Sequence, residues 1–167
     1  MMIIVSPISE VLQLMAARRP SHVLTLVSPE TDIPQCDVPA DQHLVLKFHD
    51  IPVAMAGYIA PSQEIIAAIL DFGGRWDRAA PMLVHCWAGV SRSTAAAFIL
   101  RCSHAAAGEE HTIAAAMRQA SPFASPNAMM VAIADKMLGR DGRMNAAIAT
   151  IGRGTACTEG RSFEVAF

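Results

Sequence analysis

Apolar positions along the chain follow two rhythms. Short aliphatic runs without alternation mark strands at 3–5, 22–27 (HVLTLV), 43–48 (HLVLKF) and 81–85 (PMLVH). Unbroken apolar character is what a strand buried on both faces requires. Between them, spacings of three and four mark helices. Ile8, Val11, Leu12 and Met15 follow Ser6-Pro7, which predicts Ser6 as an N-cap and Pro7 as the first helical residue. Arg18-Arg19-Pro20 ends that helix. Ile65, Ile69, Phe72 and Trp76 share one face of a helix opening at Pro61-Ser62. Residues 91–107, 109–120, 127–138 and 144–151 read as further helices, with Met130, Ile133 and Met137 as a core-facing stripe. Residues 28–41 carry Pro29, Pro34 and Pro39 and read as a loop.

Strands alternating with helices early, then helices alone, imply an α/β fold: a small central, mostly parallel sheet flanked by helices. Length and composition agree. The chain has 167 residues, 53% hydrophobic and 17% charged, enough to bury the core of one domain spanning 1–167. The glycine-rich stretch from about 152 fits no element. Thirteen Lys+Arg against fifteen Asp+Glu give a net charge of −2, which argues against nucleic acid or an anionic membrane face as partner. No apolar run is long enough to cross a bilayer. The first residues lack the basic start of a secretory signal. Cys36, Cys86, Cys102 and Cys157 form no CxxC pair, and the six histidines show no metal spacing. A disulfide scaffold and structural zinc are therefore not expected, and a reducing, cytoplasmic setting is.

Chemistry concentrates in His85-Cys86-Trp87-Ala88-Gly89-Val90-Ser91-Arg92-Ser93. A buried strand delivers Cys86 to its C-terminal edge, where open α/β sheets place ligands. Ala88 and Gly89 let the backbone curl so that several N–H groups face one concavity at a helix N-terminus, an anion site. The same field favours a thiolate at Cys86. Arg92 can curl back and offer its planar fork to two phosphate oxygens. Ser93 is spaced to hydrogen-bond the sulfur as a leaving group, and His85 to orient the loop backbone and support a low thiol pKa. Nucleophile, oxyanion cradle and cation in one short loop are what phosphoryl transfer to sulfur needs.

These residues match His-Cys-x5-Arg-Ser, and the fuller string HCWAGVSRS resembles the dual-specificity branch of the cysteine-dependent protein tyrosine phosphatases, of a bacterial type. The resemblance spans about residues 43–130. It implies a phosphatase acting on phosphotyrosine, with phosphoserine and phosphothreonine also open, through a cysteinyl-phosphate intermediate. Cys86 and Arg92 would be catalytic, and residues Trp87, Ala88, Gly89, Val90, Ser91 and Arg92 would bind the phosphate. No metal or organic cofactor is implied. The partner would be a phosphorylated protein or a small phosphate monoester; oligomeric state is left open.

The resemblance also implies a general acid on a loop after an earlier strand. Asp50 fits, at the end of the HLVLKF run and 36 residues before Cys86. Its surroundings read His49-Asp50-Ile51 rather than the Trp-Pro-Asp of the tyrosine-specific branch. Asp41, Asp71 and Asp77 compete, but Asp41 precedes the strand, Asp71 lies within a helix pattern and Asp77 follows it. Asn127 in Ser125-Pro126-Asn127 resembles the family's Pro-Asn step, which supports the phosphate loop, and also reads as a helix N-cap. Trp87 reads equally as a pocket wall or as packing on the sheet, His49 as a loop residue, and residues 139–143 (GRDGR) as a solvated turn. Trp87 and Val90 stand where lipid and inositol phosphatases often carry lysines, which argues against a polyphosphorylated substrate. The alternative to an enzyme is a catalytically weak, phosphate-binding pseudophosphatase or interaction module.

Overall fold

The computed structural model describes residues 2–166. Among them, five strands form one sheet: β1 Met2–Pro7, β2 His22–Val27, β3 His43–Lys47, β4 Met82–Cys86 and β5 Phe163–Ala166. Their order is β3-β2-β4-β1-β5. The first four run parallel, and β5 runs antiparallel to β1. Six helices complete it: α1 Val11–Arg18, α2 Gln63–Arg75, α3 Arg92–Ser103, α4 Glu110–Ala120, α5 Ala128–Met137 and α6 Arg143–Ile151.

Both faces of the sheet are covered, which is why its central strands carry no polar alternation. Ile4, Val23 and Leu83 pack with Val11, Leu14 and Met15 of α1 on one face. Ile3, Val5, Leu24, Leu26, Met82 and Val84 point the other way, into the core built with α2 to α6. Ser62 caps α2 by accepting from the Ile65 amide, and Ile66, Ile69, Phe72 and Trp76 are buried along it. Each such side chain contributes about 1.5–3 kcal/mol of burial. The parallel strands deliver the C-terminal ends of β2, β3 and β4 to one edge, where the site lies.

Five expectations are corrected. Ser6 caps no helix: β1 continues through Pro7 because Pro7 stays in register with Cys86 of β4. A short 3-10 turn over Ile8–Glu10 then precedes α1. That delay rotates Leu12 outward, 61% exposed. Helix α3 stops at Ser103, short of residue 107, because Arg140 takes the end carbonyls of Cys102 (2.6 Å) and Ala105 (2.9 Å). Residues 139–143 are a solvated turn only in part: Gly139, Asp141 and Gly142 are exposed, but Arg140 is buried and also pairs with buried Glu110 at 3.0 Å. Of the α5 stripe, Met130 is buried but Met137 is exposed, with Val131 and Ala134 facing the core instead. The stretch beyond 152 ends in an element after all: β5 covers the edge of β1.

Candidate active site

Cys86 ends β4, and the chain turns directly into the loop that leads to α3. Cys86 is 2% exposed. Its sulfur lies 3.1 Å from Ser93 Oγ and accepts from the Gly89 amide at 3.2 Å. Both contacts fix the sulfur against the loop. Gly89 has φ +70, and a Cβ there would sit 2.5 Å from the Pro7 nitrogen. Conformation and space both demand glycine at this bend. The amides of Ala88, Val90 and Ser91 donate to no group among the described residues. Unpaired loop amides beside a helix start form a ready anion cradle.

Arg92 opens α3 and curls back over the strand ends, buried at 5% exposure. Its Nη1 donates to the Phe48 carbonyl at 2.7 Å and to Ser28 Oγ at 3.3 Å. Its guanidinium carbon lies 5.8 Å from the centre of the Phe48 ring. The rear of the fork is thus anchored to β2 and β3. Its Nε is buried without a hydrogen bond, and Asp50 Oδ2 lies 3.9 Å away.

Asp50 follows β3 and hangs over the loop. Its Oδ1 accepts from Ser91 Oγ at 2.7 Å and from Asn127 Nδ2 at 2.8 Å. The other oxygen, toward Arg92, makes no hydrogen bond among the described residues. Asn127 caps α5 and also reaches Asp50. Its Oδ1 accepts from the Met130 amide as the cap of α5, and its Nδ2 holds Asp50 and the Ile51 carbonyl (3.2 Å). The Ser125 amide donates to the Val90 carbonyl and the Asn127 amide to the Ser91 carbonyl, so segment 125–127 clasps the loop from behind. The bond from Asn127 to Asp50 had no signal in the sequence, because 77 positions separate them.

The other candidates sort by burial. Trp87 is 47% exposed, so it does not pack on the sheet. His49 Nδ1 accepts from the Ile59 amide, and its ring meets the Tyr58 ring edge-on at 4.9 Å. It closes the loop that carries Asp50. Asp71 pairs with Arg75 on the α2 surface, and Asp77 caps the Ala79 amide. Asp41 lies in the turn before β3. None of the three joins the constellation. Among the described residues, no three His, Cys, Asp or Glu side chains gather in a metal-holding group.

His85 is fully buried, and its Nε2 shares a hydrogen bond with Thr25 Oγ1 at 2.8 Å. Thr25 Oγ1 also meets His43 Nε2 at 2.9 Å. Burial pushes the His85 imidazole down to about 4, with His43 adding to the effect and the Cys86 main chain opposing it. The ring is therefore neutral beside the cysteine and ties β4 to β2 instead of supplying charge. Stability should follow. The unfolded imidazole protonates near 6.5 and the folded one near 4, so between those values only the unfolded chain binds the proton. Folding stability should fall as pH drops through that window, by on the order of 3 kcal/mol for full titration. Burial lowers His43 and His22 in the same direction. Denaturant unfolding at pH 7 and pH 4.5 checks this; His85→Gln should flatten the pH slope, and an unchanged slope would remove His85 as its source.

The chain matches no family model and no curated protein in sequence. Its fold does match solved structures. It superposes on DUSP15 with a TM-score of 0.63 and 16% identity over 88% of each chain. A mouse putative dual specificity phosphatase, complexed with zinc tungstate, aligns with a TM-score of 0.49 and 20% identity, over 81% of this chain and 79% of the other. The fold is that of the dual-specificity phosphatases, an α/β architecture with a central, mostly parallel sheet. Among the described residues, no helix is long and apolar enough to cross a membrane.

Proposed function

We propose that residues 1–167 act as one cysteine-dependent phosphatase domain of the dual-specificity kind. The observation that carries this reading is the convergence on one loop of the Cys86 sulfur, unpaired loop amides, the buried Arg92 Nε and the Asp50 carboxylate. In the first step Cys86 Sγ attacks phosphorus, and an S–P bond forms as the P–O ester bond breaks. Arg92 and the amides of the loop Trp87 to Arg92 hold the equatorial oxygens. Asp50 Oδ2 protonates the departing oxygen, its Oδ1 being held by Ser91 and Asn127. In the second step water attacks the phosphocysteine, Asp50 takes its proton, and the S–P bond breaks with Ser93 Oγ hydrogen-bonded to the leaving sulfur. The substrate is a phosphate monoester on a protein or small molecule, with phosphotyrosine the leading form, and no step calls for a metal or organic cofactor. Neither nucleic acid nor membrane takes part. The thiol chemistry suits a reducing, cytoplasmic setting, with all four cysteines free.

The carboxylate reaching over the loop favours turnover over the pseudophosphatase alternative. Hydrolysis of phenyl phosphate and 4-nitrophenyl phosphate between pH 5 and 8, with chelator present, tests the reading. Wild type should hydrolyse both. Asp50→Asn should slow phenyl phosphate by about 10²-fold or more, as loss of a general acid does. The nitrophenyl ester, whose leaving group needs little protonation, should slow much less. No turnover of either ester by wild type, with phosphate still bound, would select the binding module.

A further inference from the structure

The acid defines a direction. Asp50 must face the ester oxygen, so the alcohol part of a substrate lies on the Asp50 side of the loop. A cleft of about 550 Å³ opens there, lined by Asp50, Ser91, Asn145, Ile148, Ala149 and Arg153 among others. Pro52 and Pro126 add apolar surface. Apart from Asp50, the charged lining residue is Arg153, and its side chain makes no hydrogen bond or ion pair among the described residues.

The backbone around Arg153 is held on both sides. Arg118 Nη2 donates to the carbonyls of Ile151 (3.3 Å) and Gly152 (2.9 Å), and its Nη1 to that of Pro122 (2.8 Å). Gly154 donates its amide to Ser125 Oγ at 2.8 Å. It lies so close to Phe123 that a Cβ would sit 2.5 Å from the Phe123 carbonyl. Thr155 donates its amide to Pro122 at 2.8 Å. Residues 125–127 in turn bond to Val90 and Ser91 of the phosphate loop. One chain of hydrogen bonds therefore runs from the loop to the turn presenting Arg153, which fixes the backbone from which this exposed side chain extends at the rim of the cleft.

We propose that Arg153 is a specificity-determining residue that pairs with a carboxylate on the alcohol part of the phosphate ester. The inference rests on the phosphatase reading for its direction. A single solvent-facing guanidinium suits a carboxylate, bidentate in geometry. The carboxylate comes either from a small aromatic acid or from an acidic side chain beside a phosphotyrosine.

Two ester pairs distinguish these sources: 4-carboxyphenyl phosphate against 4-carbamoylphenyl phosphate, and a phosphotyrosine peptide with neighbouring Glu against its Gln counterpart. In each pair the ratio of kcat/KM is compared between wild type and Arg153→Gln, which cancels the intrinsic reactivity of the esters. At least one pair should favour the anionic member in wild type by about fivefold beyond the ratio in Arg153→Gln, as a well-placed exposed ion pair gives. Arg153→Lys should keep part of the preference, and Arg153→Glu should reverse it. Raising the salt concentration should shrink it. Identical ratios in wild type and Arg153→Gln for both pairs would overturn the inference and leave the phosphatase reading standing. Should wild type turn over none of the esters, the dissociation constants of the same pairs with Cys86→Ser protein decide: an Arg153-dependent preference there supports the cleft while the catalytic reading falls, and its absence overturns both.

Discussion

Changing Cys86 to serine is expected to lower kcat by about 10⁴-fold or more, the scale seen when a covalent nucleophile is removed. The substitution swaps sulfur for oxygen in a side chain that is 2% exposed, so the fold should persist. What changes is the reacting atom. Ser93 Oγ at 3.1 Å and the Gly89 amide at 3.2 Å can hold the hydroxyl oxygen as they hold the sulfur, but an alcohol oxygen is the weaker nucleophile toward phosphorus. Oxygen is also the poorer leaving atom in the second step. Phosphate affinity should survive, because Arg92 and the loop amides remain. The check is a pair of measurements, turnover of an aryl phosphate and calorimetric titration with inorganic phosphate. Cys86→Ser protein that retained turnover would exclude the cysteinyl-phosphate route.

Arg92→Lys should cost about 10²–10³-fold in kcat, comparable to losing a preorganised donor to the transition state. Arg92 does two jobs at once. Nη1 is spent on the Phe48 carbonyl and Ser28, while the buried Nε makes no hydrogen bond and lies 3.9 Å from Asp50 Oδ2. A guanidinium satisfies both because its donors lie in one rigid plane. A lysine ammonium is a single point, so it either keeps the carbonyl or meets the anion. The loss should fall mainly on kcat, since charge on the equatorial oxygens is held in a geometry only the fork matches. A rate near wild type would remove that role from Arg92. A loss confined to KM would assign it to ground-state binding.

The loop and its strand were legible in sequence because the chemistry is local. Strand β4, the bend at Gly89 and the start of α3 follow one another within a few residues, and the apolar run, the small residues and the arginine each carry their own signal. Asp50 was legible more weakly, by its place after β3. Its partners were not: Ser91 and Asn127 reach it from 41 and 77 positions away. The partner of His85 was out of reach for the same reason, since Thr25 lies 60 positions earlier. Arg140 read as surface because a pair of glycines and charges looks like a turn, and only the packing of α4 against the end of α3 buries it with Glu110. Strand β5 carried no signal of its own, being four residues long with alternating burial; β1 supplies the edge that makes it a strand.

What the sequence determined by itself was the set of elements with short-range periodicity and the one loop whose functional groups are neighbours in the chain. Hydrophobic spacing and turn chemistry act over a few residues, so they can be read one residue at a time. The tertiary structure alone decided which face Leu12 and Met137 turn outward, where α3 stops, that the C-terminal residues pair with β1, and that Asp50, Asn127 and Arg153 border one cleft. Those outcomes depend on register between β1 and β4 and on hydrogen bonds across long separations, whose partners are chosen by packing and leave no mark in local sequence.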